Sequence, residues 1–445
     1  MAKIVITYGT FDLFHIGHLN ILKRAKEFGD HLIVGVTSEI YDRSRGKLNV
    51  VQDLETRLNA IKKLDFVDKV IVETHKNQKI EDIKHYKVDR FVIGDDWIGK
   101  FDYLKDFCEV IYLPRTKDIS STQLRKSIDS IKLGIIGTGR IAHRFATECS
   151  FVEGIEVHSV YSRDMKNVKS FIQNHDILYG FDNLDSFLKS DIDAVYIASP
   201  HENHYEQSKK VLHNKKHLLC EKPITLKVKE VEELVELALE NNLILLEAVK
   251  TAFLPAFNKL LDEIKSGIIG DVIEVKATFT KLIEDRTLRE WQSPFGGATN
   301  ELSTYPLLLA TKLLGDVEDI VFYTQKDNNV DLSNTIICKH KDNKVSISTV
   351  GIGMKSEGEA VISGTKGYIV IPAPWWLTRE FKIKFEDIHK EYNFNYEFEG
   401  DGLRYEISEF KSLINRKNLI SNMYSHNDML KINKIIAKFN EKDFK

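Results

Sequence analysis

Lys132-Leu133-Gly134-Ile135-Ile136-Gly137-Thr138-Gly139-Arg140-Ile141-Ala142 decides how this chain is organised. A short apolar run rich in β-branched residues ends in Gly137-x-Gly139-x-x-Ala142, and a helical pattern begins at once. Strand, glycine turn and helix in that order make a seat for a phosphate-bearing ligand: bare backbone allows close approach, and the first amides of the helix point at it. Such a turn belongs at the opening of a nucleotide-binding unit, yet here it follows about 130 residues that already carry strands and helices of their own. The chain has two beginnings.

Upstream, short runs at 4–8, 32–37, 70–72, 91–93 and 110–113 alternate with longer helical stretches, the pattern of a parallel α/β sheet. The first run exits into Gly9-Thr10-Phe11-Asp12-Leu13-Phe14-His15-Ile16-Gly17-His18. His15 and His18, three apart, share one face of a helical turn, and Gly17 between them blocks nothing. Two imidazoles so placed can donate to phosphate oxygens as negative charge builds on them. These residues resemble the HxGH nucleotidyltransferases, which transfer a nucleotidyl group and release pyrophosphate. Gly94-Asp95-Asp96-Trp97 and Leu113-Pro114-Arg115-Thr116-Lys117-Asp118-Ile119-Ser120-Ser121-Thr122 are similar to the glycerol-3-phosphate cytidylyltransferases within that family, over residues 1–128. The resemblance implies a CTP site made by Gly9, Thr10, Phe11, Lys47, Arg115, Thr116, Ile119, Ser120 and Thr122, with His15, His18 and Arg115 catalytic. It implies a phosphosugar site made by Arg45, Lys79, Asp95 and Trp97, though each basic residue alone reads equally as a solvated charge. Asp65-Phe66-Val67-Asp68 stands where glycerol-phosphate enzymes carry Arg-Tyr-Val-Asp, and Lys76 where they carry Trp. Both point the acceptor away from glycerol 3-phosphate, toward a longer polyol.

Downstream, a second strand ends at Tyr161-Ser162-Arg163, where an enzyme using NAD would carry an acidic residue for the ribose hydroxyl. Serine and arginine suit a 2′-phosphate, so NADPH is the expected cofactor and NADH the alternative. Two further strand ends, Ser199-Pro200-His201-Glu202-Asn203-His204 and Glu221-Lys222-Pro223, place polar groups at the carboxyl edge of the sheet. Together with the glycine turn they resemble the Gfo/Idh/MocA oxidoreductases. That resemblance implies a cofactor site at Gly137, Gly139, Arg140, Ile141, Ser162, Arg163, Ser199, Pro200, His201, His204, Glu221 and Lys222. It also implies a second α+β domain with a large, mostly antiparallel sheet; 276–279, 345–350 and 368–371 read as its strands. Lys222 would stand beside the reacting carbon–oxygen group. Glu301 and Tyr305, four apart, are expected on one helix face, with Tyr305 donating a proton and Lys222 lowering its pKa; a half-buried structural aromatic is the alternative. Pro306 conflicts with that helix unless it falls in the first turn.

The expected class is α/β, in three domains: 1–128, 131–250 and 251–445. A net charge of −3 over 445 residues provides no field for nucleic acid or anionic membrane. No apolar run is long enough to span a bilayer, and the start reads straight into a strand, so the cytoplasm is expected. The four cysteines lack metal-ligand spacing and read as buried, reduced and structural; no protein metal site is expected. The expected partners are CTP with Mg²⁺, a small phosphosugar and further copies of the chain, in a dimer or tetramer. Consecutive steps joined in one chain suggest a CDP-alditol made from a ketose phosphate, CDP-glucitol from fructose 6-phosphate being one example. The rival expectation is a cytidylyltransferase alone, with a second unit that only senses NADP(H) or mediates assembly.

Overall fold

The computed structural model describes residues 2–48, 50, 52–114, 130–396, 398 and 400–443. The chain divides into two compact units, residues 1–130 with 151–154, and 131–150 with 155–445. Among the described residues no helix is long and apolar enough to cross a membrane. No cysteine is paired; Cys149, Cys220 and Cys338 are buried, and Cys108 is half-buried.

The first unit is built on a parallel sheet of β1 (Ile4–Gly9), β2 (His31–Thr37), β3 (Lys69–Glu73), β4 (Arg90–Gly94) and β5 (Glu109–Leu113). Their order is β3-β2-β1-β4-β5, so successive connections turn in opposite directions between β1 and β4. A parallel sheet covered by helices buries both faces, and β2 accordingly shows only its first residue at an intermediate exposure. In an open sheet of this kind ligands sit at the carboxyl ends of the strands beside the switch point. Gly9 and Gly94, which end β1 and β4, are there.

The second unit begins with a six-stranded parallel sheet: β6 (Ile131–Ile136), β7 (Ile155–Tyr161), β8 (Tyr179–Phe181), β9 (Ala194–Ile197), β10 (His217–Glu221) and β11 (Leu245–Ala248). The order β11-β10-β9-β6-β7-β8 puts its switch point between β6 and β9. An eight-stranded sheet follows, running β13-β14-β15-β12-β16-β17-β18-β19: β12 (Val272–Thr280), β13 (Val317–Asp327), β14 (Val330–His340), β15 (Val345–Gly351), β16 (Ala360–Gly364), β17 (Tyr368–Ile371), β18 (Glu380–Lys384) and β19 (Glu391–Asn395). Its neighbours are antiparallel except β12 and β15.

The last two helices, Leu403–Arg416 and His426–Asp443, return to the nucleotide-binding half and pack on the helices Arg140–Cys149 and Val228–Glu240. A buried ion pair fastens the first of them: Arg404 Nε and Nη2 donate to Glu148 Oε2 and Oε1 at 2.9 and 2.7 Å, with side chains 3% and 6% exposed. Arg404→Met strands the Glu148 carboxylate in a dry site. Breaking one side of such a pair costs about 3–5 kcal/mol, which denaturant unfolding followed by tryptophan fluorescence should show; a loss below about 1 kcal/mol would mean the pair is solvated.

Candidate active sites

In the first unit, β1 leaves the sheet through Thr10–Phe14 and delivers the histidine pair to the first turn of the helix Ile16–Lys26. The turn is under strain: Phe11 and Leu13 hold positive φ of 52° and 47°, unusual for side-chain-bearing residues. What holds it is polar. Asp12 Oδ1 accepts from the Gln52 amide at 2.9 Å, and the Leu13 amide donates to Gln52 Oε1 at 2.9 Å. Arg57, fully buried, donates to the carbonyls of Thr10 and Thr37 at 2.8 Å each. His15 caps the helix, its Nδ1 accepting from the Gly17 amide at 3.0 Å. An accepting Nδ1 leaves the proton on Nε2, so the ring presents a donor. The His15 and His18 rings stack with centroids 3.9 Å apart, and Phe11 meets His18 edge-on.

Thr10 Oγ1 takes a hydrogen bond from Lys47 Nζ at 2.5 Å and lies 3.4 Å from buried Asp42, which also binds Arg45 at 2.7 Å. The structure thus brings together Gly9, Thr10, Phe11, Arg45 and Lys47 around the end of β1, with Asp42 as the counter-charge that sequence reasoning missed. Asp95 and Trp97 occupy the turn after β4, where Lys100 lies over the Trp97 ring at 4.8 Å. Arg115, Thr116, Ile119, Ser120 and Thr122 lie outside the described residues.

Two expectations for this unit need correction. Lys79 is not an open phosphate ligand: its ammonium pairs with Glu73 and lies 4.7 Å from the centre of the Tyr8 ring, and the residue is 6% exposed. Burial, partly offset by Glu73, holds its pKa below the usual lysine value. Asp65 precedes β3 and therefore sits at the amino edge of the sheet, opposite the ligand edge. Asp68 shows the same placement, accepting from the Leu32 amide at the start of β2 at 2.6 Å. Asp65 says nothing about the acceptor, whereas Lys76, exposed and just past β3, is on the right edge.

In the second unit, β6 is followed by Gly137, whose φ of +105° and packing 2.7 Å (from a notional Cβ) against the Ala198 carbonyl exclude any side chain. A Cβ on Gly139 would meet nothing within 4 Å, and the helix Arg140–Cys149 starts without a side-chain cap. Open space above uncapped amides is what a dinucleotide pyrophosphate requires. Arg140 reaches across it to Glu290, Ile141 is half-buried, and Ser162 and Arg163 follow β7 with Arg163 exposed.

The Ser199–His204 loop after β9 meets the Glu221–Pro223 end of the neighbouring β10, His204 lying 2.9 Å from the Pro223 carbonyl. Lys222 Nζ donates to the main-chain oxygen of Glu301 at 2.8 Å and stands 6.0 Å from the Tyr305 ring centre. Glu221, 9% exposed, accepts from the buried Tyr196 hydroxyl through Oε1 at 2.6 Å. Ser199 Oγ donates to Gln207 at 2.6 Å. His201 is buried beside Arg289, Nε2 to Nη2 3.3 Å; burial, then His204, Lys222 and Arg289, hold it far below the usual histidine pKa and neutral.

Three expectations for this unit change. His204 is fully buried, its ring nitrogens 2.9 Å from the carbonyls of Pro223 and Ser199, and burial depresses its pKa to about 4. It ties loop to strand and offers no edge to a cofactor. Glu301 and Tyr305 occupy successive helices, Gly297–Leu302 and Thr304–Leu314, which puts Pro306 in a first turn. The Glu301 carboxylate instead accepts from Arg289 at 3.2 Å. The Tyr305 pKa lies well above the ordinary value and not below it: burial, then Glu221, Glu406 and Glu247, raise it. Sequence reasoning also missed Arg289, and missed Glu247, whose carboxyl accepts from the Ile224 amide and the Tyr424 hydroxyl and is pushed by burial to about 7. Glu247 stands at the end of β11, a ligand edge that the apolar run before it could have flagged.

Comparison with known proteins finds family matches over both units. Residues 6–127 match the cytidylyltransferase-like family, 131–248 the oxidoreductase family with an NAD-binding Rossmann fold, and 257–370 the GFO/IDH/MocA C-terminal domain. The first unit is 51% identical over 129 residues to the glycerol-3-phosphate cytidylyltransferase of Bacillus spizizenii, covering 29% of this chain and 99% of that protein. The second is 30% identical over 301 residues to the scyllo-inositol 2-dehydrogenase (NADP⁺) of Bacillus subtilis, covering 65% and 90%. The chain belongs to both families, a cytidylyltransferase joined to a GFO/IDH/MocA oxidoreductase. In fold, the second unit is similar to a 3-ketoreductase from Actinomadura kijaniata solved with TDP-benzene and NADP: TM-score 0.61, 22% identity, covering 69% of this chain and 96% of that one. The cytidylyltransferase–oxidoreductase fusion is thus a bifunctional enzyme dependent on NAD(P).

Proposed function

We propose that this enzyme makes a CDP-alditol from CTP, a ketose phosphate and NADPH. The observation that carries it is the presence, in one chain, of an assembled histidine pair beside the phosphate-binding turn and an assembled Lys222–Tyr305 pair beside a dinucleotide seat. In the first unit the substrate phosphate attacks the α-phosphorus of CTP in line and pyrophosphate leaves. His15 Nε2–H and His18 face the charge that builds there, Lys47 and Arg45 hold phosphate oxygens, and Mg²⁺ travels with the CTP phosphates. The bound nicotinamide supplies the hydride for ketone reduction. Lys222 orients the ketone oxygen and stabilises the alkoxide, and Tyr305 donates its proton. A hydroxyl held protonated by burial still donates, because the forming alkoxide is the stronger base.

The carbon skeletons that the two sites accept must be related. Our reading ranks hexulose phosphates first, pentulose phosphates second and dihydroxyacetone phosphate last; Lys76 and a relative of the second unit named for a ring-sized polyol support it, while relatives of the first unit are named for glycerol 3-phosphate. NADPH absorbance followed with each ketose phosphate ranks them. Pyrophosphate release with glycerol 3-phosphate as the sole CMP acceptor, and no NADPH oxidised with any ketose phosphate, would leave only a cytidylyltransferase with a non-catalytic second unit.

The cofactor preference follows from Arg163. A guanidinium on the 2′-phosphate is a charge-assisted contact of about 1.5–3 kcal/mol, or roughly ten- to hundred-fold in Kd. Arg163→Ala should weaken NADPH by that factor and leave NADH unchanged, measured by fluorescence titration. Equal binding of the two cofactors to the native chain contradicts the assignment.

A further inference from the structure

The second unit holds a buried acid that the reduction scheme leaves unused. Glu406, on the helix Leu403–Arg416, is 0% exposed, and neither carboxyl oxygen has a hydrogen-bond partner among the described residues. That helix packs on the turn Lys250–Phe253 and on the helix Arg140–Cys149. From these and neighbouring elements Glu406 is faced by Lys250, by Glu221 of β10 and by Glu148, which is itself held by Arg404; its charge is felt by Tyr196 of β9 and by Tyr305. Asp401 and Arg144 face Lys250 in turn, and Glu247 faces Glu221. Two like-charged acids in a dry pocket resist ionising together, and a nearby ammonium relieves them. Glu221 passes that balance forward: it accepts from Tyr196 at 2.6 Å and its other oxygen lies 3.2 Å from the Lys222 amide.

We propose that Glu406 and Lys250 are positioning residues of the reductase, which fix how many negative charges the Glu221–Glu406 pair carries and thereby the pH range in which Lys222 and Tyr305 deliver a proton to the ketone. The inference rests on the reduction proposed above. In that step the carbonyl carbon gains a hydride from the reduced nicotinamide, its oxygen takes the Tyr305 proton, and a solvent proton restores the tyrosine through Lys222.

The test uses the full chain with the near-isosteric variants Glu406→Gln and Lys250→Met. Removing the negative group beside Glu221 should move the carboxyl-governed limb of kcat/KM against pH down by about one unit; removing the cation should move it up by a similar amount. Shifts of one sign in both variants, or limbs that stay put while rates fall at every pH, overturn the proposal. An infrared titration reads the same protons without turnover. Glu247, pushed to about 7, contributes a protonated-carboxyl signal of its own; beyond it, a second such band at pH 7 should be lost in Glu406→Gln and persist to higher pH in Lys250→Met than in the native chain. A native chain without that band contradicts the inference even if reduction is active. A native chain that shows it but reduces no ketose phosphate contradicts the proposed function instead.

Discussion

Lys222→Ala is expected to lower NADPH oxidation by about a thousandfold or more while pyrophosphate release from CTP continues at the native rate. In the proposed reduction the ammonium does two things that alanine cannot: it faces the developing alkoxide and it feeds Tyr305. Losing an electrostatic donor costs about 10²–10³ in rate and losing a proton route about 10²–10⁴. Tyr305 cannot compensate, because burial beside Glu221 keeps it a weak acid. Among the described residues the variant loses one side-chain hydrogen bond, to the Glu301 carbonyl, and the contact with the Tyr305 ring, so circular dichroism should be unchanged. Release of pyrophosphate that fell in parallel, in a folded variant given its native acceptor, would mean that the two sites do not act independently.

The mirror experiment has a built-in control. His18→Ala should reduce CMP transfer by about 10²–10³ and leave NADPH oxidation intact. His15 is also a helix cap, so His15→Ala removes about 1 kcal/mol of stability along with the Nε2 donor. Asparagine accepts well at a cap but carries no imidazole. His15→Asn should therefore match His15→Ala in lost CMP transfer and match the native chain in thermal unfolding. Substantial transfer by His15→Asn would show that the capping bond, and not the donor, is what the site uses.

Much of the fold could be read from local pattern. All five runs marked in the first unit lie within strands, as does the run before Gly137, because buried parallel strands leave short apolar signatures between helices. The glycine turn was legible because each glycine answers a local demand: Gly137 packs on a carbonyl and Gly139 opens on empty space. The misreadings share a different cause. Lys79 and His204 were assigned from their motifs, but their partners, Glu73 and the carbonyls of Pro223 and Ser199, are brought to them by packing. The Tyr305 pKa depends on Glu406, a hundred residues away in the chain, and Arg289 reaches Glu301 from a short helix that carries no signature. Where ionisable groups end up buried together, spacing along the chain does not reveal it.

A single labelled turnover tests the central claim that one chain performs both steps on one carbon skeleton. The native protein would be incubated with CTP, Mg²⁺, a hexulose phosphate and NADPH deuterated on the transferred hydrogen, and the nucleotide products weighed by mass spectrometry. The account predicts one CDP-linked alditol carrying one deuterium, replaced by unlabelled CDP-ketose, or by no nucleotide product, when NADPH is omitted. A CDP-linked product without deuterium in the presence of labelled NADPH, or deuterium found only in a compound that never becomes CDP-linked, would contradict it.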